Sequence, residues 1–432
     1  MKILYVSQYF PPEMGAPAGR VAELSRLWVE DGHEVTVLTG FPNHPTGVVP
    51  PEYRSKFRRL VDRENVEGVN VVRTWLFPFP NRKAYERMLN YSSFCVSAAT
   101  TGVFLEQPDI VIATSPQLLV GLSGWWLARC KGVPFVFEVR DLWPESLAAV
   151  GRNSNSLLHR SLEKIAGFLY RNCDRAVVVT PAFKKYLIEE WRVPEEKIFV
   201  VENGVDANLF KPLPSNQALR RELAAKGKFV VSYIGTMGNA HGLETLLEAA
   251  DLLRERSPNV LFLLVGEGAE KERIISMARS RALTNLCFVD QQPREKIAAY
   301  ISASDACLVL LKRTELFKTV LPTKMLEFMA CARPVILGVD GHARQVMEQA
   351  NAGIFIPPEN PAELANAVVR LAADPALREF LGRNGRQHVL RHFSRRQTAN
   401  TYLAVLQDMV GEDQRRRLTN VGAGVPARAA PV

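Results

Sequence analysis

The sequence predicts an α/β protein built as two parallel-sheet domains facing each other across a cleft. Three observations predict it. The chain has 432 residues, too many for one ordinary hydrophobic core and suited to two domains with connections. Short, near-continuous apolar runs alternate with amphipathic segments, the pattern of strands covered on both faces by helices. The alternation also starts afresh. One series ends near residue 205 and another begins at Phe229, with Pro212 and Pro214 marking a linker.

The elements follow in order. Residues 2–7 read as a buried strand, 8–19 as a loop, 20–31 as a helix stopped by Gly32-His33, and 34–39 as the next strand. Further strands are expected over 69–74, 110–114, 134–139 and 176–180. The proline-rich stretch 41–53, FPNHPTGVVPPEY, is a long loop at the C-terminal edge of a strand, either a connector or a place for function. In the second half, strands are expected over 229–235, 260–266, 286–290, 306–311 and 334–338, with a helix over 243–255. The end is helical over 361–374, 375–393 and 396–410. The first domain is placed at 1–207 and the second at 208–395. The helix 396–410 is expected to pack back on the first domain, and the basic tail 411–432 is expected to be disordered.

Composition narrows the function. A hydrophobic fraction of 47% and a charged fraction of 23% suit a soluble globular protein. The first strand starts at once, so no leader is expected and the chain is placed in the cytoplasm. The apolar stretches 88–105 and 117–127 are interrupted by polar residues or too short to span a bilayer, and read as amphipathic or buried helices. The six cysteines form no C-x-x-C pair, so they are expected as reduced core fillers, and no metal site is expected. A net charge of +9 favours phosphate ligands or anionic lipid, and the absence of any nucleic-acid motif ranks nucleic acid last. Arg54, Lys56, Phe57, Arg58, Arg59 and Leu60, with 88–105 and Trp125-Trp126, suit a peripheral contact with an anionic membrane as well as they suit a solvated charged face.

Glycine-rich loops after strands are the first candidates for phosphate binding. YFPPEMGAPAGR carries Gly15, Gly19 and Arg20, the arginine able to grip a phosphate with two donors. YIGTMGNAHGLETLLEAA carries Gly235, Gly238 and Gly242 at a spacing that does not fit the dinucleotide fingerprint but suits a diphosphate cradle, with His241 beside it. LVGEGAEKERI exposes Glu267 between Gly266 and Gly268, most simply as a tight turn. The strongest segment is LFKTVLPTKMLEFMACARPVILG. Thr323 is expected as an N-cap, and Lys324 and Glu327 share one helix face, the first to neutralise a phosphate and the second to accept from two ribose hydroxyls, or else to pair with each other.

These segments, in this order and over residues 1–400, resemble the retaining family-4 glycosyltransferases, whose GT-B architecture sets two Rossmann-like domains across a cleft. FPNHPTG, RDLWPES and LPTKMLEFMA resemble the subgroup that builds bacterial capsule, O-antigen and colanic-acid polysaccharide, N-acetylfucosamine transferases among them. The resemblance implies a UDP-sugar donor, often an N-acetylated amino sugar, a polyprenyl-diphosphate-linked saccharide acceptor at the inner face of the membrane, and no cofactor. Taken together with the loop and helix readings above, donor binding is expected at Gly235, Thr236, Gly238, His241, Glu267, Thr323, Lys324 and Glu327, catalysis at Asp141 and Lys324, and acceptor or phosphate binding at Gly15, Gly19, Arg20, His44 and Arg140. The resemblance places Asn203 and Gly204 at the crossing between domains. Three positions depart from the family. Thr319 stands where a first glutamate is common, Thr236 where an arginine is common, and Arg140 where a histidine is common; Lys324, His241 or Arg20 would make up the missing charge. A UDP-sugar 2-epimerase on the same architecture is the alternative, separated by whether donor alone yields an epimer. A non-catalytic nucleotide-sugar-binding subunit is a third reading, excluded by turnover.

Overall fold

The computed structural model describes residues 1–44, 46–80, 84–143, 157–214 and 217–422. Two sheets organise them. The first half runs β1 (Lys2–Val6), α1 (Ala16–Glu30), β2 (Glu34–Gly40), α2 (Pro51–Phe57), β3 (Val61–Val66), β4 (Val69–Thr74), α3 (Ala84–Val103), β5 (Ile110–Thr114), α4 (Val120–Lys131), β6 (Phe135–Val139), α5 (Leu157–Asn172), β7 (Arg175–Val178), α6 (Pro181–Glu189) and β8 (Ile198–Val200). Its strand order is β3-β4-β2-β1-β5-β6-β7-β8, parallel except for the β3–β4 hairpin.

The second half runs α7 (Gln217–Glu222), β9 (Phe229–Ile234), α8 (Glu244–Arg256), β10 (Val260–Val265), α9 (Lys271–Ser280), β11 (Leu286–Val289), α10 (Arg294–Ser302), β12 (Ala306–Leu310), α11 (Thr323–Ala330), β13 (Val335–Gly338), α12 (His342–Ala350), β14 (Gly353–Phe355), α13 (Pro361–Ala373), α14 (Pro375–His392) and α15 (Arg395–Gly422). Its sheet, ordered β11-β10-β9-β12-β13-β14, is parallel throughout. This is the α/β architecture of two Rossmann-like, GT-B-type sheets that the apolar strands anticipate.

Alternation along each strand splits each domain's interior in two. On β1, Leu4 and Val6 join Phe135 and Phe137 on one face, while Ile3 and Tyr5 join Trp28 on the other. That second face is closed by the chain's last helix. Ala399, Tyr402, Leu406 and Met409 of α15 pack there, and Trp28 donates its indole N–H to the Ala399 carbonyl at 3.1 Å. The two chain crossings lie side by side, the Val205 N–H donating to the Phe393 carbonyl at 2.8 Å and the Arg395 N–H to the Val205 carbonyl at 2.9 Å.

Several boundaries differ from the sequence reading for physical reasons. Pro17 sits in the first turn of α1, where its missing N–H costs nothing, so the helix begins at Ala16 and takes Gly19 and Arg20 inside it. β3 was not anticipated because DRENV carries alternating charges. It lies at the sheet edge, where charged side chains are at home. The tail expected to be disordered from residue 411 is helical as far as Gly422. One glycine costs a helix only about 1 kcal/mol, and Glu412 is held by Arg175 at 3.2 Å. Residues 423–432 of that tail, and 144–146 of RDLWPES, lie outside the described residues.

Candidate active site

In a doubly wound sheet the ligand crevice opens where the strand order reverses. That point lies between β1 and β5 in the first sheet and between β9 and β12 in the second. The loops after β9 and β12 therefore flank the second crevice, and they carry the residues that matter.

After β9, Gly235 adopts φ +138, and the amides of Thr236 and Gly238 make no hydrogen bond among the described residues. The loop is braced from behind by the turn after β10. A Cβ on Gly266 would come 2.1 Å from the Gly235 carbonyl oxygen, so only glycine permits the contact. In front lies Lys324 of α11, whose ammonium would be 2.8 Å from a Cβ at position 235. Its Nζ donates to the Tyr233 hydroxyl at 3.2 Å and sits 4.3 Å from the centre of that ring. Burial lowers the Lys324 ammonium to about 8, with Glu327 opposing the shift. A cation in a dry setting beside two free amides is suited to a diphosphate.

Glu327 follows one turn later on α11. It does not pair with Lys324. Its Oε1 accepts from Arg294 at 3.3 Å, and its Oε2 has no hydrogen bond among the described residues. Burial raises its carboxyl and Arg294 works against that rise.

Three donor-side expectations need correction. Thr323 is not an N-cap; Pro322 holds that position, and Thr323 is the first helical residue, with no side-chain cap. His241 supplies no positive charge, because burial, with Lys324 nearby, lowers its imidazole to about 3. It contacts the Leu310 carbonyl through Nδ1 at 3.3 Å and lies edge-on to Tyr233. Glu267 is held by Lys271, which also grips Asp290 at 2.5 Å, so its carboxylate serves the turn.

On the opposite wall Arg20 is a structural residue. Its guanidinium is buried, bonding Glu138 at 2.9 Å, the carbonyls of Val201 and Glu202 each at 3.1 Å, and Asn203 at 3.2 Å. Glu138 also accepts from Tyr5 at 2.7 Å. With these partners Arg20 cannot turn to a phosphate, and its work is to tie α1 and β6 to the interdomain crossing. Arg140 likewise spends donors on the carbonyls of Ala16 and Pro17, at 3.1 and 3.3 Å, and thereby braces the first turn of α1. Burial brings its guanidinium down to about 10, with Glu138 opposing.

Asp141 stands just past the end of β6, its carboxylate accepting from the Trp143 indole at 3.2 Å. His44 lies exposed in its loop beside Tyr9, ring centres 5.3 Å apart, and Gly19 packs under Arg294.

Four participants escaped the sequence reading: Tyr233, Glu23, Arg294 and Arg395. Arg294 reaches Glu23 of α1 at 2.7 Å with its second nitrogen, and Arg395 holds Glu23's other oxygen at 2.5 Å. The available signal was position. Arg294 opens a helix just past β11, at the cleft edge of the sheet. Among the described residues no group of three or more His, Cys, Asp or Glu is placed to hold a metal ion.

Comparison with known proteins agrees with this fold. Residues 15–204 match the family model of the glycosyl transferase 4-like domain, and residues 215–388 match that of glycosyl transferases group 1. The putative colanic acid biosynthesis glycosyl transferase WcaI of Escherichia coli K12 is 25% identical over 91% of this chain and 98% of its own length. Among solved structures, sucrose-phosphate synthase of Thermosynechococcus elongatus aligns with a TM-score of 0.76 at 21% identity, covering 95% of this chain and 99% of that one. Anabaena HepE in complex with UDP-glucose aligns with a TM-score of 0.71 at 18% identity, covering 94% of this chain and 100% of that one.

Proposed function

The chain belongs to the glycosyltransferases, with a 4-like domain ahead of a group 1 domain, and from that premise we propose that it is a retaining enzyme. It transfers a sugar from a UDP-sugar to a polyprenyl-diphosphate-linked saccharide in bacterial surface polysaccharide synthesis. The observation that carries the donor site is Lys324 lying over Gly235 beside free amides, with Glu327 one turn away. That spacing suits a diphosphate and its adjoining ribose. The complex of HepE with UDP-glucose supports a uridine nucleotide, and the name of WcaI supports polysaccharide synthesis. An N-acetylated amino sugar and the lipid-linked acceptor rest on the motif resemblance.

In the proposed reaction the bond between the sugar C1 and the β-phosphate oxygen breaks as the acceptor hydroxyl attacks C1 from the same face. The hydroxyl proton passes to the departing phosphate oxygen. Lys324 and the amides of Thr236 and Gly238 stabilise the charge that gathers on the diphosphate, a placement most effective in a dry cleft. Asp141, fixed by Trp143, lines the acceptor side.

A thermal-shift screen of UDP-, GDP-, dTDP- and ADP-sugars tests the donor class, because a ligand that binds only the native state raises its melting temperature. The UDP compounds are expected to stabilise the protein. A shift only with another base, or with none, would remove the uridine assignment.

Peripheral membrane contact belongs to the same reading. Tyr85, Leu89, Val96 and Phe104 of the α3 region and Trp126 of α4 are exposed, Phe104 to 84%. Trp125 packs on Phe168, and Lys56 is paired with Asp62 and Glu64, so neither contributes to such a face. Arg54, Arg58, Arg59 and Leu60 remain exposed, joined towards α3 by the rings of Phe57, Trp75 and Phe77. No described helix is long and apolar enough to cross a membrane. Basic and apolar groups on one domain suit the surface of an anionic bilayer. The protein is expected to co-sediment with vesicles containing anionic lipid and to stay in the supernatant with zwitterionic ones. Equal recovery in both supernatants would exclude the contact.

A further inference from the structure

We propose that Arg294 is a positioning residue for the donor site: it aims the Glu327 carboxylate at the ribose and makes that aim depend on contact with the N-terminal domain. The proposal rests on the donor reading above and adds to it a coupling between the two domains.

Arg294 is the first residue of α10. One guanidinium nitrogen meets Glu327 Oε1 at 3.3 Å and the other meets Glu23 Oε1 at 2.7 Å, across the cleft on α1. Glu23 is itself fixed by Arg395, at the foot of the returning helix α15. The planar group lies over the Phe210 ring, 5.1 Å from its centre. Helix α1 also presents a bare glycine to it. A Cβ on Gly19 would lie 3.4 Å from the Arg294 Cζ, in van der Waals contact with the guanidinium.

A guanidinium is a rigid fork, so fixing one prong fixes the direction of the other. Here one prong is fixed by the N-terminal domain and the other sets the Glu327 carboxylate. With Oε1 taken by Arg294, Oε2 is the oxygen left for a ribose hydroxyl. Separation of the domains would release Glu23 from Arg294 and loosen the carboxylate; docking restores it. By thermodynamic linkage, nucleotide binding then favours docking to the same degree.

The charged groups facing Glu327 are Arg294 from α10, Glu23 from α1, Arg395 from the start of α15 and Lys324 from its own helix. Burial pushes the carboxyl up, and Arg294 is the largest influence holding it down. Without Arg294, Glu327 loses its strongest positive neighbour while Glu23, still held by Arg395, remains a like charge facing it, so Glu327 takes up a proton at higher pH than in the unaltered protein. A protonated Glu327 is a poorer acceptor for ribose hydroxyls.

The test is calorimetric titration of the full chain with UDP at pH 8 and pH 6, for the wild type, Arg294→Met, Arg294→Lys and Glu23→Gln. Arg294→Met is expected to bind UDP about tenfold more weakly at pH 8, the loss of one well-placed charged hydrogen bond, and more weakly again at pH 6. Arg294→Lys keeps the charge without the fork, and should weaken binding with no added loss at pH 6. Glu23→Gln, on the opposite wall and away from the nucleotide, should weaken UDP by roughly threefold or more, because an uncharged amide oxygen holds that prong less firmly than a carboxylate does. A purely structural role would lower the melting temperature and leave the pH dependence of UDP affinity unchanged, which would overturn the proposal. So would Arg294→Met and Glu23→Gln binding UDP like the wild type at both pH values. Should Arg294→Met fail to fold, Glu23→Gln decides alone. A wild type that does not bind UDP overturns the donor reading and this proposal together, whereas a wild type that binds UDP with unaltered variants overturns only the coupling.

Discussion

Replacing Lys324 with methionine is expected to lower kcat/KM for the sugar nucleotide by about a hundredfold or more, read as UDP release, because removing one preorganised donor from a developing anion costs that much. Several features concentrate this effect on one residue. Thr236 occupies a position that offers no cation, and His241, at about 3, is neutral under any condition in which the protein would be assayed. Arg20 is locked to Glu138 behind the wall of the cleft. The positive charge at Gly235 itself is therefore that of Lys324, while Lys312 lies at the far end of the loop, where it donates to Asn239 at 2.6 Å.

The same residue predicts a pH profile. The Lys324 ammonium is at about 8 in the free protein, against 10.5 for an ordinary lysine. It is charged below that value and loses its proton above it. The kcat/KM of the wild type should therefore fall on the alkaline side with a midpoint near 8, since this parameter reports the free enzyme. Lys324→Met should have a low, flat profile over the same range. Stability runs in the opposite direction. The unfolded chain holds this proton up to about 10.5, so the native state gains stability relative to it as pH rises from about 8 towards that value. An alkaline limb that persists unchanged in Lys324→Met would assign it to another group.

The sequence-level reading succeeded where the physics is local. Continuous apolar strands such as FVVSYI and VLFLLV announce burial on both faces, and PTKMLEFMA places Lys324 and Glu327 on one face by helical period alone. It failed where meaning depends on a distant partner. Arg20 after a glycine-rich loop looks like a phosphate ligand, yet its partner Glu138 lies 118 positions away. The hint was Glu138 itself, a lone carboxylate within the apolar strand FVFEV, which cannot be buried without a cation. Arg294 has no local hint of that kind. It acquires a role only because the fold brings Glu23, 271 positions earlier, against it. Likewise Thr319 serves the seam between domains, its carbonyl accepting from the Thr180 hydroxyl at 2.9 Å.

Glu327→Ala is expected to weaken UDP about ten- to hundredfold, the loss of hydrogen bonds to a charged acceptor, while leaving the melting temperature of the free protein close to that of the wild type. Loss of affinity alone would not show what the carboxylate touches. A thermodynamic cycle does, because coupling between two partners vanishes once either is removed. The decisive measurement is the affinity of UDP and of 2′,3′-dideoxy-UDP for the wild type and for Glu327→Ala. With the carboxylate on the ribose, the wild type should bind the dideoxy compound about ten- to hundredfold more weakly than UDP, and Glu327→Ala should bind the two nearly alike. A wild type that does not distinguish the two nucleotides, or an alanine variant that still distinguishes them fully, would contradict the assignment of Glu327 and the donor site built around it.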